Sequence, residues 1–130
     1  MSRGKVLVLD DDILTGKTIQ NVIAFSNYDS RLATDADEFF HQYQEWNPDY
    51  IALDLIMPKM DGMQILGELA RLKCKSAIII TSGVGKRVLD TAMLAAREQG
   101  LTVLGVLSKP FSSATLKALL DSFIPPETIP

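Results

Sequence analysis

The chain has 130 residues, of which 47% are hydrophobic and 22% are charged, a balance typical of one globular domain and not of a disordered segment. The net charge of −3 argues against a nucleic-acid-binding protein, which needs a basic surface. A single cysteine excludes an internal disulfide, no apolar run is long enough for a membrane span, and the amino terminus lacks a signal-peptide pattern, so we expect a cytoplasmic protein.

Four short apolar segments and one weaker, more polar segment predict β-strands. Each has four or five residues, which is too short for an amphipathic helix, and most are apolar throughout, as in strands buried on both faces of a sheet. In chain order they are residues 5–9, 29–33, 50–53, 77–80 and 103–107.

Five longer amphipathic segments alternate with these strands and predict helices. Thr34 and Asp37 have the spacing of a capping box at the start of the second helix, and Pro48 follows its end. Gly100 is placed to terminate the fourth helix. The predicted helices cover about 14–25, 35–46, 63–72, 87–99 and 113–123.

This alternation predicts an α/β fold in which helices cover both faces of a parallel sheet. The carboxyl ends of parallel strands meet at one edge, where proteins of this class bind their ligands. Four of the five predicted strands are followed there by polar residues. Asp10, Asp11 and Asp12 follow the first strand, Asp54 the third, Thr81 and Ser82 the fourth, and Lys109 the fifth.

The residue types at this edge indicate phosphoryl chemistry. Crowded carboxylates repel one another unless a cation joins them, and oxygen ligands without histidine or cysteine favour Mg²⁺. Lys109 provides a mobile positive charge for a phosphate, and the Thr81 hydroxyl is a donor for a phosphoryl oxygen. A carboxylate such as Asp54 is able to act as a nucleophile and form an acyl phosphate.

Four segments in this order resemble the receiver (CheY-like) domains of response regulators in two-component signalling. The resemblance extends from about residue 5 to residue 123. The matching segments are Val6-Leu7-Val8-Leu9-Asp10-Asp11, Asp54-Leu55-Ile56-Met57-Pro58-Lys59-Met60-Asp61-Gly62, Thr81 after its strand, and Lys109-Pro110-Phe111.

The resemblance implies a single-domain, doubly wound (βα)5 flavodoxin-like fold with five parallel strands in the order 2-1-3-4-5. Residues 1–124 would form the receiver domain. The proline-rich tail at 125–130 would be a linker to an output domain.

The resemblance also implies the roles of the site residues. Asp54 would accept a phosphoryl group from a phosphohistidine of a sensor histidine kinase or phosphotransfer protein. Asp11 would bind Mg²⁺ directly and Asp10 largely through water, with Asp54 and the Ile56 carbonyl as further ligands. Thr81 and Lys109 would contact the phosphoryl group, and Lys109-Pro110 would be a cis peptide. The domain would catalyse only its own phosphorylation and dephosphorylation, and phosphorylation would alter the surface around the fourth helix, fifth strand and fifth helix.

Two positions depart from the family pattern. Val106 stands where the family often has an aromatic residue, so we expect no aromatic switch and expect the loop after Thr81 to carry the change. Ile56 and Gly83 offer no polar side chain beside the site, which suggests a long-lived phosphorylated state. Residues 101–111 are similar to receivers joined to cyclic-dinucleotide phosphodiesterase domains, which are one possible output partner.

Two alternatives remain open from the sequence. The segment Asp10-Asp11-Asp12-Ile13-Leu14-Thr15 also resembles the first motif of haloacid-dehalogenase-type phosphatases, in which Asp10 would be the nucleophile. That interpretation leaves Asp54 unexplained. The second alternative is a receiver-like binding module that no longer accepts a phosphoryl group. The complete set of site residues argues against this alternative.

Overall fold

The computed structural model describes residues 2–83 and 85–125. The five predicted strands and five predicted helices are present in the predicted order, with bounds within two residues of the predicted ones, and two short strands, β4 and β5, are additional. The strands are β1 (Lys5–Leu9), β2 (Asp29–Ala33), β3 (Tyr50–Asp54), β4 (Ile56–Met57), β5 (Met60–Asp61), β6 (Ala77–Ser82) and β7 (Thr102–Ser108). The helices are α1 (Ile13–Phe25), α2 (Ala36–Trp46), α3 (Gly62–Arg71), α4 (Lys86–Glu98) and α5 (Ser113–Asp121).

Five strands form one sheet in the order β2-β1-β3-β6-β7, and every pairing in it is parallel. The two-residue strands β4 and β5 form a separate antiparallel hairpin within the predicted loop, so the sheet order confirms the predicted 2-1-3-4-5. Every residue of β3 and β6 is buried, which explains why these segments are apolar at consecutive positions.

Alternate residues of the strands contribute to two apolar layers. Leu7 and Leu9 of β1 pack with helices α2, α3 and α4, whereas Val6 and Val8 pack with α1 and α5. Each fully buried aliphatic side chain stabilises the fold by about 1.5 to 3 kcal/mol relative to its exposed state. Both faces of the sheet are therefore covered, and its carboxyl edge is left for the site.

The amino-terminal cap of α2 differs from the prediction. Asp35, not Thr34, is the capping residue, and its carboxylate accepts a hydrogen bond from the Glu38 N–H at 2.8 Å. Aspartate and threonine are both good caps, so sequence alone did not distinguish adjacent candidates. The helix ends at Asn47, which adopts a left-handed conformation with φ 52°.

Helix α5 ends two residues before the predicted end, where its last turn meets the sheet. The buried Tyr50 hydroxyl lies 2.9 Å from the Leu120 carbonyl oxygen and 2.7 Å from that of Phe123. Beyond Pro125, the predicted linker lies outside the described residues. Within the described residues, no helix combines the length and hydropathy that a bilayer span requires.

Candidate functional site

The carboxyl ends of β1, β3, β6 and β7 surround a cavity of about 360 Å³ at one edge of the sheet. The residues predicted from the strand ends are brought together here, as the parallel topology requires. The cavity is lined by Asp10, Asp11, Asp12, Thr15, Asp54, Ile56, Ser82, Gly83 and Lys109.

Three carboxylates form the acidic centre of this cavity. Asp10, Asp11 and Asp54 each offer an oxygen atom within 4.8 Å of the other two. Asp10 is 1% exposed and Asp54 is 5% exposed, whereas Asp11 is only half-buried. Two of the three are therefore shielded from the water that normally stabilises a negative charge.

Lys109 supplies the positive charge that faces two of these carboxylates. Its Nζ atom lies 2.7 Å from Asp10 Oδ2 and 3.2 Å from Asp54 Oδ2. The Lys109 N–H donates to the Ser82 carbonyl oxygen at 2.8 Å, which fixes the backbone beside the cavity. The Lys109–Pro110 peptide bond is cis, as the family resemblance implies.

The charges of this cluster do not compensate one another fully. Burial raises the pKa of Asp54; the Lys109 charge and hydrogen bond act in the opposite direction but do not cancel it. Burial also opposes the charge of Lys109, but its hydrogen bond to Asp10 and the charge of Asp54 leave its pKa above the usual value. The site thus has a surplus of negative charge in which an additional cation is favourable.

The remaining contacts distinguish the three aspartates after β1. Asp10 Oδ1 accepts a hydrogen bond from the Asp12 N–H at 2.9 Å, so both Asp10 oxygens have protein partners. Asp12 caps α1 by accepting from the Leu14 N–H at 3.0 Å, and its bond with the Thr15 hydroxyl lowers its pKa. Asp11 has no hydrogen bond or ion pair with another residue of the described part of the chain. It is the carboxylate most available to a cation.

The loop after Asp54 is held in a fixed shape by backbone contacts. The Leu55 N–H donates to the Thr81 carbonyl oxygen at 2.8 Å, and the Gly62 N–H donates to the Leu55 carbonyl oxygen at 3.1 Å. Within the loop, the Ile56 N–H makes a long hydrogen bond of 3.3 Å to Asp54 Oδ1. The Ile56 side chain is 55% exposed at the mouth of the cavity.

Comparison with known protein families identifies the family to which this chain belongs. The sequence profile described as "Response regulator receiver domain" matches residues 6–121, which is most of the chain. The chain belongs to the response regulator receiver domain family. This confirms the family and the two-component signalling role inferred from the sequence, and it does not support assignment to haloacid-dehalogenase-type phosphatases.

Individual relatives support the same assignment. The receiver domain is 26% identical to the chemotaxis protein CheY of Thermotoga maritima, over 90% of this chain and 94% of that protein. It is 28% identical to the probable transcriptional regulator ycf27 of Porphyridium aerugineum, over 95% of this chain but only 49% of that protein. The chain therefore spans about half the length of that relative.

A solved structure shows the same architecture. The crystal structure of a response regulator from Colwellia psychrerythraea superposes with a TM-score of 0.80 at 30% sequence identity. The superposition covers 93% of this chain and 96% of the other. The receiver fold is thus shared over nearly its whole length.

The hydroxyl groups of this receiver domain are placed differently from the sequence-based expectation. Thr81 pairs in register with Asp54 on the neighbouring strand and is 2% exposed, but it does not line the cavity. Ser82 does line it and is 1% exposed. Ser82 had no predicted role, although its position at the end of β6 was the available signal. Val106 is half-buried and packs against the layer that contains α4.

Proposed function

We propose that this receiver domain is a phosphorylation-driven switch in which Asp54 accepts a phosphoryl group from a phosphohistidine on a sensor histidine kinase or phosphotransfer protein. The observation that carries the proposal is the ion pair of buried Asp54 with Lys109, beside two further carboxylates in one open cavity. Family membership supports the same role.

In the transfer step, an Asp54 oxygen attacks the phosphorus atom and forms a new P–O bond. The P–N bond to the donor imidazole breaks, and its electron pair stays on the imidazole. The ion pair favours the ionised form of Asp54 against the effect of burial and orients the carboxylate, and Lys109 Nζ lies where it would also contact the oxygens of the incoming group. The domain contributes these groups to its own modification and has no other substrate in this proposal.

The site residues fit a divalent cation of the Mg²⁺ type. The three carboxylates provide only oxygen ligands, and their surplus negative charge disfavours the empty site. Asp11 and Asp54 would hold the ion together with the Ile56 carbonyl, and Asp10, whose oxygens have protein partners, would act through water. When bound, Mg²⁺ supplies positive charge that stabilises the transferred phosphoryl group.

Exposed apolar residues adjoining the cavity lining support a protein as the phosphoryl donor: Ile56 belongs to the lining, and Ile13 and Leu14 directly follow Asp12, which also does. Ile13, Leu14 and Ile56 are 54%, 78% and 55% exposed, although all three are large apolar residues. An exposed apolar group of this kind is typical of a surface that contacts another protein. A small-molecule donor would make no use of it.

Phosphorylation would act on the rest of the domain through Thr81. The acyl phosphate carries about two negative charges, and the Thr81 hydroxyl would move toward it. Gly83 and Gly85 in the following loop have no atoms within 4 Å of where a side chain would begin, so that loop has room to shift. The surface formed by α4, β7 and α5 would then change its affinity for an output partner.

The output partner would be a further domain or protein that binds this surface. The curated relative named a transcriptional regulator is about twice the length of this chain. A cyclic-dinucleotide phosphodiesterase domain is the alternative suggested by residues 101–111.

In either case we expect the phosphorylated state to be long-lived, because Ile56 and Gly83 place no polar side chain beside the acyl phosphate.

The proposal is tested by intact mass after incubation with acetyl phosphate and Mg²⁺. We expect a gain of one phosphoryl group in the native chain and no gain in Asp54→Asn. The Asp10→Asn variant serves as the control for the phosphatase alternative and should still be modified, although more slowly.

Modification of Asp54→Asn together with loss of modification in Asp10→Asn would overturn the proposal in favour of an Asp10 nucleophile. If the native chain is modified neither by acetyl phosphate nor by a phosphorylated histidine-containing donor, the domain is a phosphate-independent binding module.

A further inference from the structure

We propose that the amino edge of the sheet carries a second ligand site, a cavity of about 480 Å³ that binds a mononucleotide. The cavity lies where β3 and β6 begin, since Asp49 directly precedes β3, Ser76 directly precedes β6, and both line it. No described residue lines both this amino-edge cavity and the acidic cavity at the carboxyl edge. The inference is therefore independent of phosphorylation at Asp54.

The size and lining of the amino-edge cavity suit a small ligand with several functional groups. Ligand pockets in proteins usually enclose about 300 to 1,000 Å³. The lining of this one combines a pair of lysines, two aromatic rings and one carboxylate. A ligand that contacts all of them needs an anionic group, a flat ring and a hydrogen-bond donor. A mononucleotide has these three groups on one molecule.

Lys73 and Lys75 supply two positive charges from the short loop between α3 and β6. Both residues are exposed, and neither ammonium group has an ion pair or hydrogen bond with another described residue. The backbone N–H groups of Lys75 and Ser76 likewise have no hydrogen-bond partner in the described part of the chain. Ammonium groups and consecutive free N–H groups are the donors that bind phosphate in proteins.

The loop that carries these donors is held in place by its own contacts. Cys74 is buried between the two lysines, and its N–H donates to the Leu69 carbonyl oxygen at 3.0 Å. The Ser76 hydroxyl donates to the Pro48 carbonyl oxygen at 2.7 Å. Lys73 has a left-handed conformation with φ 57°, which is unfavourable for a lysine and is found more often at ligand sites. The donors are thus positioned before a ligand binds.

Tyr43 and Phe123 provide the aromatic surface of the cavity, and both are half-buried. The Tyr43 ring stacks on buried Phe39 with 6.5 Å between the ring centroids. The Phe123 ring meets the Tyr50 ring edge to face at 5.6 Å. Rings that are fixed in this way stack on any nucleobase, because every base has a flat π face.

Asp49 provides a hydrogen-bond acceptor in the same cavity and is half-buried. Its Oδ2 atom accepts the Lys5 N–H at 2.9 Å, whereas Oδ1 has no hydrogen-bond partner among the described residues. The free oxygen suits a ribose hydroxyl or the amino group of a base. One carboxylate against the two lysines leaves an excess of positive charge, so the cavity still favours an anion.

The test is titration calorimetry with adenosine monophosphate in the presence of a chelator, which keeps divalent cations out of the acidic cavity. Inorganic phosphate and adenosine are titrated separately. The double variant Lys73→Asn/Lys75→Gln removes both charges, and asparagine tolerates the left-handed conformation. The charge-matched control is Lys17→Gln/Lys59→Gln, which changes two exposed lysines outside the cavity lining. Phe123→Leu removes one ring.

We expect adenosine monophosphate to bind at one site per chain and more tightly than either inorganic phosphate or adenosine. The Lys73→Asn/Lys75→Gln variant should bind it at least about tenfold more weakly, because bonds to a charged group are lost. Phe123→Leu should lose about tenfold through reduced stacking. The control variant should remain within about twofold of native. Urea unfolding checks that each variant keeps the fold.

Three results would overturn the inference. The first is no binding of adenosine monophosphate to the native chain. The second is equal affinity for adenosine monophosphate and inorganic phosphate, which would leave the rings without a role. The third is equal affinity in the two double variants. Failure of phosphoryl transfer to Asp54 would overturn the proposed function alone, because nucleotide binding is measured at the other edge and without Mg²⁺.

Discussion

At the scale of single residues, the site is a balance of three carboxylates against one ammonium group. Lys109 interacts with Asp10 and Asp54 together, and Asp11 is left with no polar contact to another described residue. The ionised form of Asp54 is consequently less stable than it would be in water, which is the direction of its pKa shift. A carboxylate held in this way is stabilised by any cation that enters the cavity.

This imbalance predicts a pH dependence of stability. Because the folded-state pKa of Asp54 is raised, the folded state holds its proton more firmly than the unfolded state does. Ionised Asp54 thus destabilises the fold above its folded-state pKa. Without Mg²⁺, Asp54→Asn should be more stable than native at pH 7, and the difference should shrink as the pH falls through that pKa toward the ordinary aspartate pKa of 3.8. Urea unfolding at a series of pH values measures this.

The control variant for this prediction should change the stability of the fold in the opposite direction. The Asp12 pKa is lowered by its hydrogen bonds with Thr15, so Asp12 stabilises the fold when ionised. Asparagine also caps helices well, so Asp12→Asn removes mainly the charge. That variant should be less stable than native at pH 7, with the difference disappearing in acid. A native chain that is more stable than Asp54→Asn at pH 7 would contradict the pKa shift.

At the scale of elements, two local irregularities position the site. Helix α3 begins at Gly62 in contact with the Leu55 backbone, which closes the loop that follows Asp54. In β7, Val103 pairs with Ile78 and Gly105 with Ile79, so Leu104 is an extra residue in a β-bulge. After the bulge, Val106 faces the layer that contains α4 and Leu107 faces the layer of α1 and α5.

The start of α3 predicts contrasting effects for two glycines of the same helix. A Cβ at Gly62 would lie 2.3 Å from the Leu55 carbonyl oxygen, which is backbone and unable to rotate away. A Cβ at Gly67 would have no atom within 4 Å. Gly62→Ala should therefore lose about 3 kcal/mol of unfolding free energy. Gly67→Ala should gain about 1 kcal/mol, because alanine is the better helix former.

Urea unfolding of the two variants measures this difference, and Gly67→Ala is the matched control for helix propensity. A Gly62→Ala variant as stable as native would show that the loop after Asp54 is not held by the close approach of Gly62 to Leu55.

At the scale of the whole molecule, helices on both faces leave the carboxyl edge of the sheet as the place where charge collects. The Asp10, Asp11 and Asp54 oxygens lie within 4.8 Å of one another because the carboxyl ends of two distant segments, β1 and β3, are packed side by side. Folding therefore costs electrostatic free energy at this edge, and the two apolar layers offset it. A cation that binds only the folded state should recover part of that cost.

This predicts stabilisation by Mg²⁺ alone. At a concentration about tenfold above Kd, a ligand specific for the folded state adds about 1.4 kcal/mol, which raises Tm by about 5 °C for a domain of this size. Calorimetry with Mg²⁺, against K⁺ at equal ionic strength, measures the shift. Asp11→Asn should reduce it strongly, whereas Asp29→Asn, an exposed residue at the start of β2, should leave it unchanged. An equal shift in both variants would indicate nonspecific screening.

The sequence by itself determined the elements and the membership of the site. Apolar runs predicted four of the five strands of the sheet, whereas the more polar segment 29–33 was a weaker signal for β2. The polar residues after the strands identified Asp10, Asp11, Asp54 and Lys109, because strand ends in a parallel sheet must meet at one edge. The incorrect predictions were local. At the start of α2, for example, Thr34 and Asp35 are both acceptable capping residues by residue type.

Only the tertiary structure decided which of those residues contact one another and how deeply each is buried. Lys109 and Asp10 are 99 positions apart, and their 2.7 Å contact depends on the packing of strands that no local pattern encodes. The same packing decides that Ser82 and not Thr81 lines the cavity, and that burial exceeds the attraction of Lys109 at Asp54. Residue type and spacing are local properties, whereas distance, burial and the pKa values that follow from them arise only when distant segments are brought together.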